Sequence, residues 1–258
     1  MGGPRGGIGA SRGWLGMTAE VDVSPAIEDL LGRHGDSAAE AILEDVLKRA
    51  FVRRTALVSS FGTEAAALLH MVAAIEPATP VLFVDTGRLF GETLRYRDRL
   101  VERLGLTDVR SLKPEPRIAA EDQDLMLFSR DADRCCYLRK VLPLRKALEG
   151  FDCWINGRKG HHGGGRAQMP VAEADGFLVK ITPLARWGAD DVDAYYETHD
   201  LPRHPLWEDG FPSVGCLPCT VRASAEDGFR AGRWAGAQKT ECGIHLPVAE
   251  VLRRAGGC

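Results

Sequence analysis

No run of about eighteen apolar residues occurs in the chain, so no membrane-crossing helix is expected. The opening stretch, MGGPRGGIGASRGWLG, has neither an apolar core nor a twin arginine, and so does not read as a secretory leader. Residues 1–23 are expected to form a flexible segment, with Met17 an alternative start to Met1. An excess of positive charge is missing too. The 33 Lys and Arg against 36 Asp and Glu leave a net charge of −3, which gives no global case for nucleic-acid binding. Cysteine is sparse: seven residues, an odd and unevenly spaced set, fit a reducing cytoplasm better than a secreted disulfide framework. No Gly-Lys-Ser/Thr follows the small-residue turn at Ser59–Glu64, which excludes a Walker A loop there.

What is present is 258 residues of ordinary hydrophobic content (45%), enough for one α/β domain with a good core. Ser24-Pro25 can open a short helix, and Asp36 or Ser37 a longer one through AAEAILEDVLKRAF. Short apolar runs at Thr55–Ser59, Val81–Val84, Val109–Leu112 and Asp152–Asn156 alternate with helical patterns at Glu64–Ile75 and Phe90–Leu104. Strands apolar on both sides, separated by helices, predict a mostly parallel sheet covered on both faces. Ligands bind at the carboxyl ends of such strands. The loops that matter are therefore Ser59–Glu64, Asp85–Arg88 and Gly157–Arg166.

Each loop has a plain reading beside a functional one. Ser60, Gly62 and Thr63 can cradle a phosphate on backbone N–H groups at a helix start, or form an ordinary capped turn. Asp85 can close a turn. The five-glycine stretch GRKGHHGGGRAQMP cannot pack as a core element; its Arg158, Lys159, His161, His162 and Arg166 suit a loop closing on an anion or a solvated loop. Two adjacent histidines can bind metal, but no further ligand is evident near them in sequence. Asp131–Leu148 reads as a helix that Pro143 can kink. It carries the neighbouring thiols Cys135 and Cys136, about 100° apart on a helix, so both reach one centre only if it lies close. Cys216 and Cys219 form a C-x-x-C, which serves zinc, an iron–sulfur cluster or a redox dithiol. Cys153, within FDCWIN, reads as a small buried hydrophobe and Cys258 as a spare thiol. A helix is expected over Ala189–His199.

Taken together, Cys135-Cys136-x-x-x-Lys140, Gly215-Cys216-x-x-Cys219, Arg230-x-x-Arg233-Trp234 and Lys239-x-Glu241-Cys242-Gly243-x-His245 resemble the assimilatory adenylyl-sulfate (APS) reductases, from about Ser59 to Leu246. The resemblance implies an adenine nucleotide α-hydrolase-like α/β fold over residues 24–246 with a C-terminal redox tail, and an extension at 247–258. It implies a [4Fe-4S] cluster on Cys135, Cys136, Cys216 and Cys219, and Cys242 as nucleophile, with Lys239 and His245 favouring its thiolate. Ser60, Gly62 and Thr63 would contact the nucleotide, and Asp85 and Arg88 (in VDTGRLFGET) its adenosine end. Lys140, Arg230 and Arg233 would hold the phosphosulfate, the two arginines on one helical face, aided by Lys159 and Arg166. Gly160, His162 and Gly163 depart from the family's Arg-Arg-x-Gln-Ser-type loop.

The implied reaction belongs to sulfate assimilation and cysteine biosynthesis. It is reduction of adenosine 5′-phosphosulfate to sulfite and AMP through S-sulfocysteine, with thioredoxin or glutaredoxin as reductant. Neither membrane nor nucleic acid is an expected partner, and a homo-oligomer stays open. The alternatives are a reductase of 3′-phosphoadenylyl sulfate (PAPS), which typically lacks both cysteine pairs, and a zinc-binding pyrophosphate-loop protein acting on tRNA.

Overall fold

Thr55–Ser59 (β1) is buried at every position, as a central strand covered on both sides must be. It pairs in parallel with Val81–Val84 (β2) and with Cys153–Asn156 (β4). Beyond β2 lies Val109–Leu112 (β3), again parallel. Beyond β4 lies Leu178–Ile181 (β6), parallel, and then Ala172–Asp175 (β5), antiparallel to β6. The order β3-β2-β1-β4-β6-β5 confirms the expected mostly parallel sheet. The chain leaves β1 toward β2 and β3 on one side and resumes with β4 on the other. That reversal opens a crevice at the carboxyl ends of β1 and β4. The computed structural model describes residues 22–116, 118–224, 227–235, 239 and 241–254. The expected N-terminal segment up to residue 21 and Cys258 lie outside the described residues.

Alternate strand residues feed two cores, as the period of a strand requires. Leu57, Val81, Phe83, Cys153, Ile155, Val179 and Ile181 face one side. They pack with residues of α1 (Ser24–His34), α2 (Ala39–Asp45), α3 (Ala65–Ile75) and α4 (Gly91–Leu104). Ala56, Val58, Leu82, Trp154 and Leu178 face the other side, against Leu144 and Leu148. Gly105 ends α4 in the left-handed conformation (φ 63°), where glycine carries no Cβ penalty. Short helices α5 (Ile118–Glu121) and α6 (Leu127–Arg130) follow β3.

The predicted helix over Asp131–Leu148 is three pieces: α7 (Ala132–Cys136), a wide π turn (Tyr137–Val141) and α8 (Leu142–Leu148). Asp131 caps α7 by accepting from the Arg134 N–H at 2.8 Å. The wide turn sits just before Pro143, whose ring and missing N–H would interrupt an ordinary i→i−4 ladder, so the helix shifts register there without breaking. Arg139 and Lys140 lie in this turn. The hairpin of β5 and β6 was not among the expected strands, although Asp175-Gly176 between short alternating runs is a recognised hairpin signal. Two further helices complete the described chain: α9 (Ala189–Thr198), close to its expected bounds, and α10 (Val248–Arg254). Among the described residues no helix is long and apolar enough to cross a membrane.

Candidate active site

At the crevice the chain turns sharply out of β1. Phe61 takes a left-handed φ of 47° with its side chain fully buried, and its N–H donates to Ser59 Oγ at 3.2 Å. The turn thus sets Ser60, Gly62 and Thr63 along a cavity of about 200 Å³, with the Thr63 hydroxyl donating to the Pro212 carbonyl at 2.7 Å. Asn156 to Lys159 and Arg166 line it from the β4 side, and Lys140 from the π turn. The C-terminal segment contributes Arg230, Arg233, Trp234, Glu241, Cys242 and His245.

The basic loop is tied down by carboxylates. Buried Lys159 lies 3.1 Å from Glu64 Oε2, and Glu64 also meets His161 Nε2 (3.1 Å) and His162 Nε2 (2.8 Å). Burial works against the Glu64 charge, but these three partners outweigh it and hold its carboxyl far below the usual range. The three donor atoms of Glu64, His161 and His162 lie within 4.8 Å of one another, so the fold brings a third ligand to the histidine pair that their sequence neighbours do not supply. The hydrogen bonds nonetheless argue against a metal. Arg166 Nη1 donates to His162 Nδ1 (3.0 Å), which puts the imidazole proton on Nε2, facing Glu64. Burial holds the His162 pKa near 4, so the ring is neutral at pH 7. Arg158 donates to Glu173 at 2.5 Å, and Arg166 forms a two-bond fork with Glu241.

Arg230 and Arg233 come from a turn and a bridge residue rather than a helix, which corrects the expected helical face, yet both reach the cleft. Trp234 organises them: Arg233 lies 4.7 Å, Arg230 5.7 Å and Lys239 5.7 Å from its ring, a threefold cation–π contact. Arg233 donates to the Val214 carbonyl at 2.9 Å and lies flat on Gly215, where a Cβ would stand 2.1 Å from Nη2. Burial, then the charges of Arg166 and Arg233, brings the Arg230 pKa down to about 10.

Lys239 pairs with Asp133, and His245 stacks on Trp154 (5.7 Å, 11° between planes) while burial keeps it neutral. His245, neutral in its buried place, supplies no charge to Cys242, which revises the expectation for it, while Lys239 shares its charge with Asp133. Lys140, Arg230 and Arg233 line the same cleft as that thiol.

Cys135 and Cys136 at the end of α7 meet Cys216 and Cys219 around a second, small cavity, with Lys140 shared between the two. Burial raises the pKa of Cys135 to about 11 and of Cys136 to about 12. Burial also opposes ionisation of Cys216, but Lys140 and the Thr86 hydroxyl (3.3 Å) more than offset it and lower its pKa. Of the Asp85–Arg88 loop, Arg88 lines this cavity, Thr86 lines the larger cleft, and Asp85 lines neither. Asp85 accepts from the Gly87 N–H (3.0 Å), and the Arg88 carbonyl accepts from the Leu217 N–H (2.8 Å). The Arg88 side chain pairs with buried Asp122 (2.8 Å). Those contacts explain why neither side chain lines the larger cleft. Sequence reasoning also missed Arg139, paired with the same Asp122 at 2.5 Å.

The donor set suits something larger than one ion. Among the described residues the close donor group is Glu64, His161 and His162, not the cysteines. A tetrahedral zinc would hold its thiolates about 3.8 Å apart. Buried Nε atoms of Arg88 and Arg139, both lining this cavity, have no partner and are donors for an anionic group.

A phosphoadenosine phosphosulfate reductase domain is matched over residues 54–222. An adenosine 5′-phosphosulfate reductase of Chelativorans sp. (strain BNC1) is 47% identical over 241 residues, 93% of this chain and 97% of the relative. A phosphoadenosine 5′-phosphosulfate reductase of Gloeobacter violaceus (strain ATCC 29082 / PCC 7421) is 38% identical over 225 residues, 85% of this chain and 93% of that one. The crystal structure of phosphoadenylyl-sulfate reductase from Candida auris, a phosphate complex, shares the fold. Its TM-score is 0.66 at 22% identity, over 79% of this chain and 100% of that one. With more than half its length matched, the chain belongs to the phosphoadenosine phosphosulfate reductase domain family.

Proposed function

We propose that this protein reduces adenosine 5′-phosphosulfate to sulfite and AMP, with Cys242 as the nucleophile. The observation that carries the reading is the meeting of Cys242 with Lys140, Arg230 and Arg233 in one cleft at the carboxyl ends of β1 and β4. The Cys242 thiolate attacks the sulfonyl sulfur. The bond from that sulfur to the phosphate oxygen breaks, its electron pair leaves with AMP, and a Cys242–S–SO₃⁻ adduct remains. Lys140, Arg230 and Arg233 favour this step because they face both the attacking thiolate and the charge gathering on the leaving phosphate. A dithiol protein, thioredoxin or glutaredoxin, then attacks the adduct; its two electrons release sulfite, and its second thiol closes a disulfide and frees Cys242. The turn at Ser60–Thr63 offers backbone N–H groups to the nucleotide phosphate at the start of α3.

Cys135, Cys136, Cys216 and Cys219 are the residues to hold a [4Fe-4S] cluster, which would supply a fixed charge of about −2 beside Lys140 and a staple between α7 and the C-x-x-C turn. Lys140 keeps its proton: burial opposes the charge, but Cys216, Cys136 and Cys242 hold its pKa above the ordinary value.

PAPS reduction is the second reading, since a relative bears that name. Against it, Arg158 and Lys159 of the glycine-rich loop are tied to Glu173 and Glu64, which disfavours a further phosphate on those two cations. The test is sulfite release from APS by the purified protein with a reduced dithiol protein. Cys242→Ser must abolish release while iron content stays intact. Turnover by that variant would refute the assignment.

A further inference from the structure

Two arginines from distant parts of the chain converge on one carboxylate in the cleft. Arg166 grips Glu241 with a fork, Nε to Oε1 at 2.5 Å and Nη2 to Oε2 at 3.0 Å. Arg230 Nη2 lies 3.7 Å from the same Oε2. All three side chains line the cleft, and Glu241 is the immediate neighbour of Cys242. A guanidinium fork accepts a carboxylate, a phosphate or a sulfate by the same planar two-point geometry. The charge of Arg166 also opposes that of Arg230, so an anion between them is favoured whether or not substrate is present.

We infer that Arg166 and Arg230 form an oxyanion subsite that Glu241 occupies as a resident stand-in, and that the phosphate or sulfate group of the nucleotide takes the subsite by displacing the Glu241 carboxylate. The inference rests on the reading of this cleft as a sulfonucleotide site. Two consequences follow from the exchange. Glu241 competes with the incoming anion, so binding is weaker than the two arginines alone would give. Its release also unties the residue next to the nucleophile, so Cys242 is loosened only once an oxyanion has arrived. Glu241 is thus a positioning residue, acting through Arg166 and through its peptide link to Cys242.

The experiment is calorimetric titration of the full-length holoprotein with inorganic pyrophosphate and with AMP, in wild type, Glu241→Gln, Glu241→Ala and Glu241→Asp. Removal of the carboxylate frees a charge-assisted pair, so Glu241→Gln and Glu241→Ala should bind pyrophosphate about tenfold more tightly. Glu241→Asp should remain near wild type. A structural role for Glu241 would weaken binding in all three variants, which is the opposite sign. Affinity equal to or below wild type in whichever of the Gln and Ala variants is folded overturns the inference. Pyrophosphate needs neither adenosine nor turnover, so this result stands apart from the proposed reaction. Failure of that reaction would show instead as no sulfite release from APS by the wild type.

Discussion

A single methyl group at Gly215 should reproduce most of the loss caused by removing Arg233. Gly215 touches no substrate group in the scheme above, yet a Cβ there would stand 2.1 Å from Arg233 Nη2 and 2.5 Å from its Cζ. Both separations are far inside van der Waals contact. The guanidinium must therefore leave its place between the Val214 carbonyl and the Trp234 ring. A displaced Arg233 forfeits one charge-assisted contact to the transition state, about 1.5–3 kcal/mol, or roughly 10- to 150-fold in kcat/KM. The assay is steady-state sulfite release by Gly215→Ala, Arg233→Ala and the double variant. Because both substitutions remove the same contact, the double variant should be no worse than Arg233→Ala alone, a coupling that a double-mutant cycle measures. Gly215 precedes Cys216, so iron content is determined alongside and should stay at the wild-type level. Wild-type kcat/KM in Gly215→Ala, or losses that add, would refute the steric argument.

Replacing any one of Cys135, Cys136, Cys216 or Cys219 by Ser should remove iron and the brown absorbance, whereas Cys153→Ser should keep both; full iron in a Cys136→Ser preparation would contradict the four-thiol site. Lys140→Ala should cost about 1.5–3 kcal/mol of transition-state stabilisation in the same assay, with APS preferred over PAPS by wild type. His204 is fully buried, accepts from the Leu206 N–H at 3.2 Å and has its pKa lowered by burial to about 4. The folded state therefore refuses a proton that the unfolded chain takes up near pH 6.5. The His204 contribution is present above pH 6.5 and drains away as pH falls toward 4, by about 3 kcal/mol in total. Urea midpoints of wild type and His204→Gln across that range should differ in slope; parallel curves would remove His204 as the cause.

The first four strands and the helices α3, α4 and α9 were legible because their apolar patterns are dense and bounded by polar or glycine residues. The β5–β6 hairpin escaped because Glu173, Asp175 and Lys180 sit in strands, against propensity. The fold accommodates them by pairing: Asp175 with Arg145 (2.6 Å) and the Trp154 indole (2.9 Å), Lys180 with Glu173 (2.9 Å). The Arg145 and Trp154 partners of Asp175 lie 30 and 21 residues away and leave no mark in a local window, so the Asp175-Gly176 turn signal stood alone. The same holds at the site. The cysteine pairs, Lys140, Arg230, Arg233 and Cys242 were recognisable because their spacing is distinctive. The work of Glu64, Asp122 and Glu241 depends on partners many residues away, and a lone acidic residue near a loop announces nothing. For Arg88 and Asp85, loop position fixes a strand end but not which of two neighbouring cavities a side chain enters: Arg88 lines the cysteine cavity and Asp85 lines neither.

The nucleophile hangs between two moorings. On one side Lys239 is fastened to Asp133; on the other His245 is stacked on Trp154, with its carbonyl held by Lys180 at 3.3 Å. Cys242 is three residues from each, and three residues fully extended span at most about 11 Å. The thiol is thus on a short leash that lets it cross the cleft but not leave it. In the reaction proposed above, a dithiol protein that reduces the Cys242 adduct would have to bring its own thiol to this cleft. On that scheme, the reach of seven residues would decide where the two thiols meet.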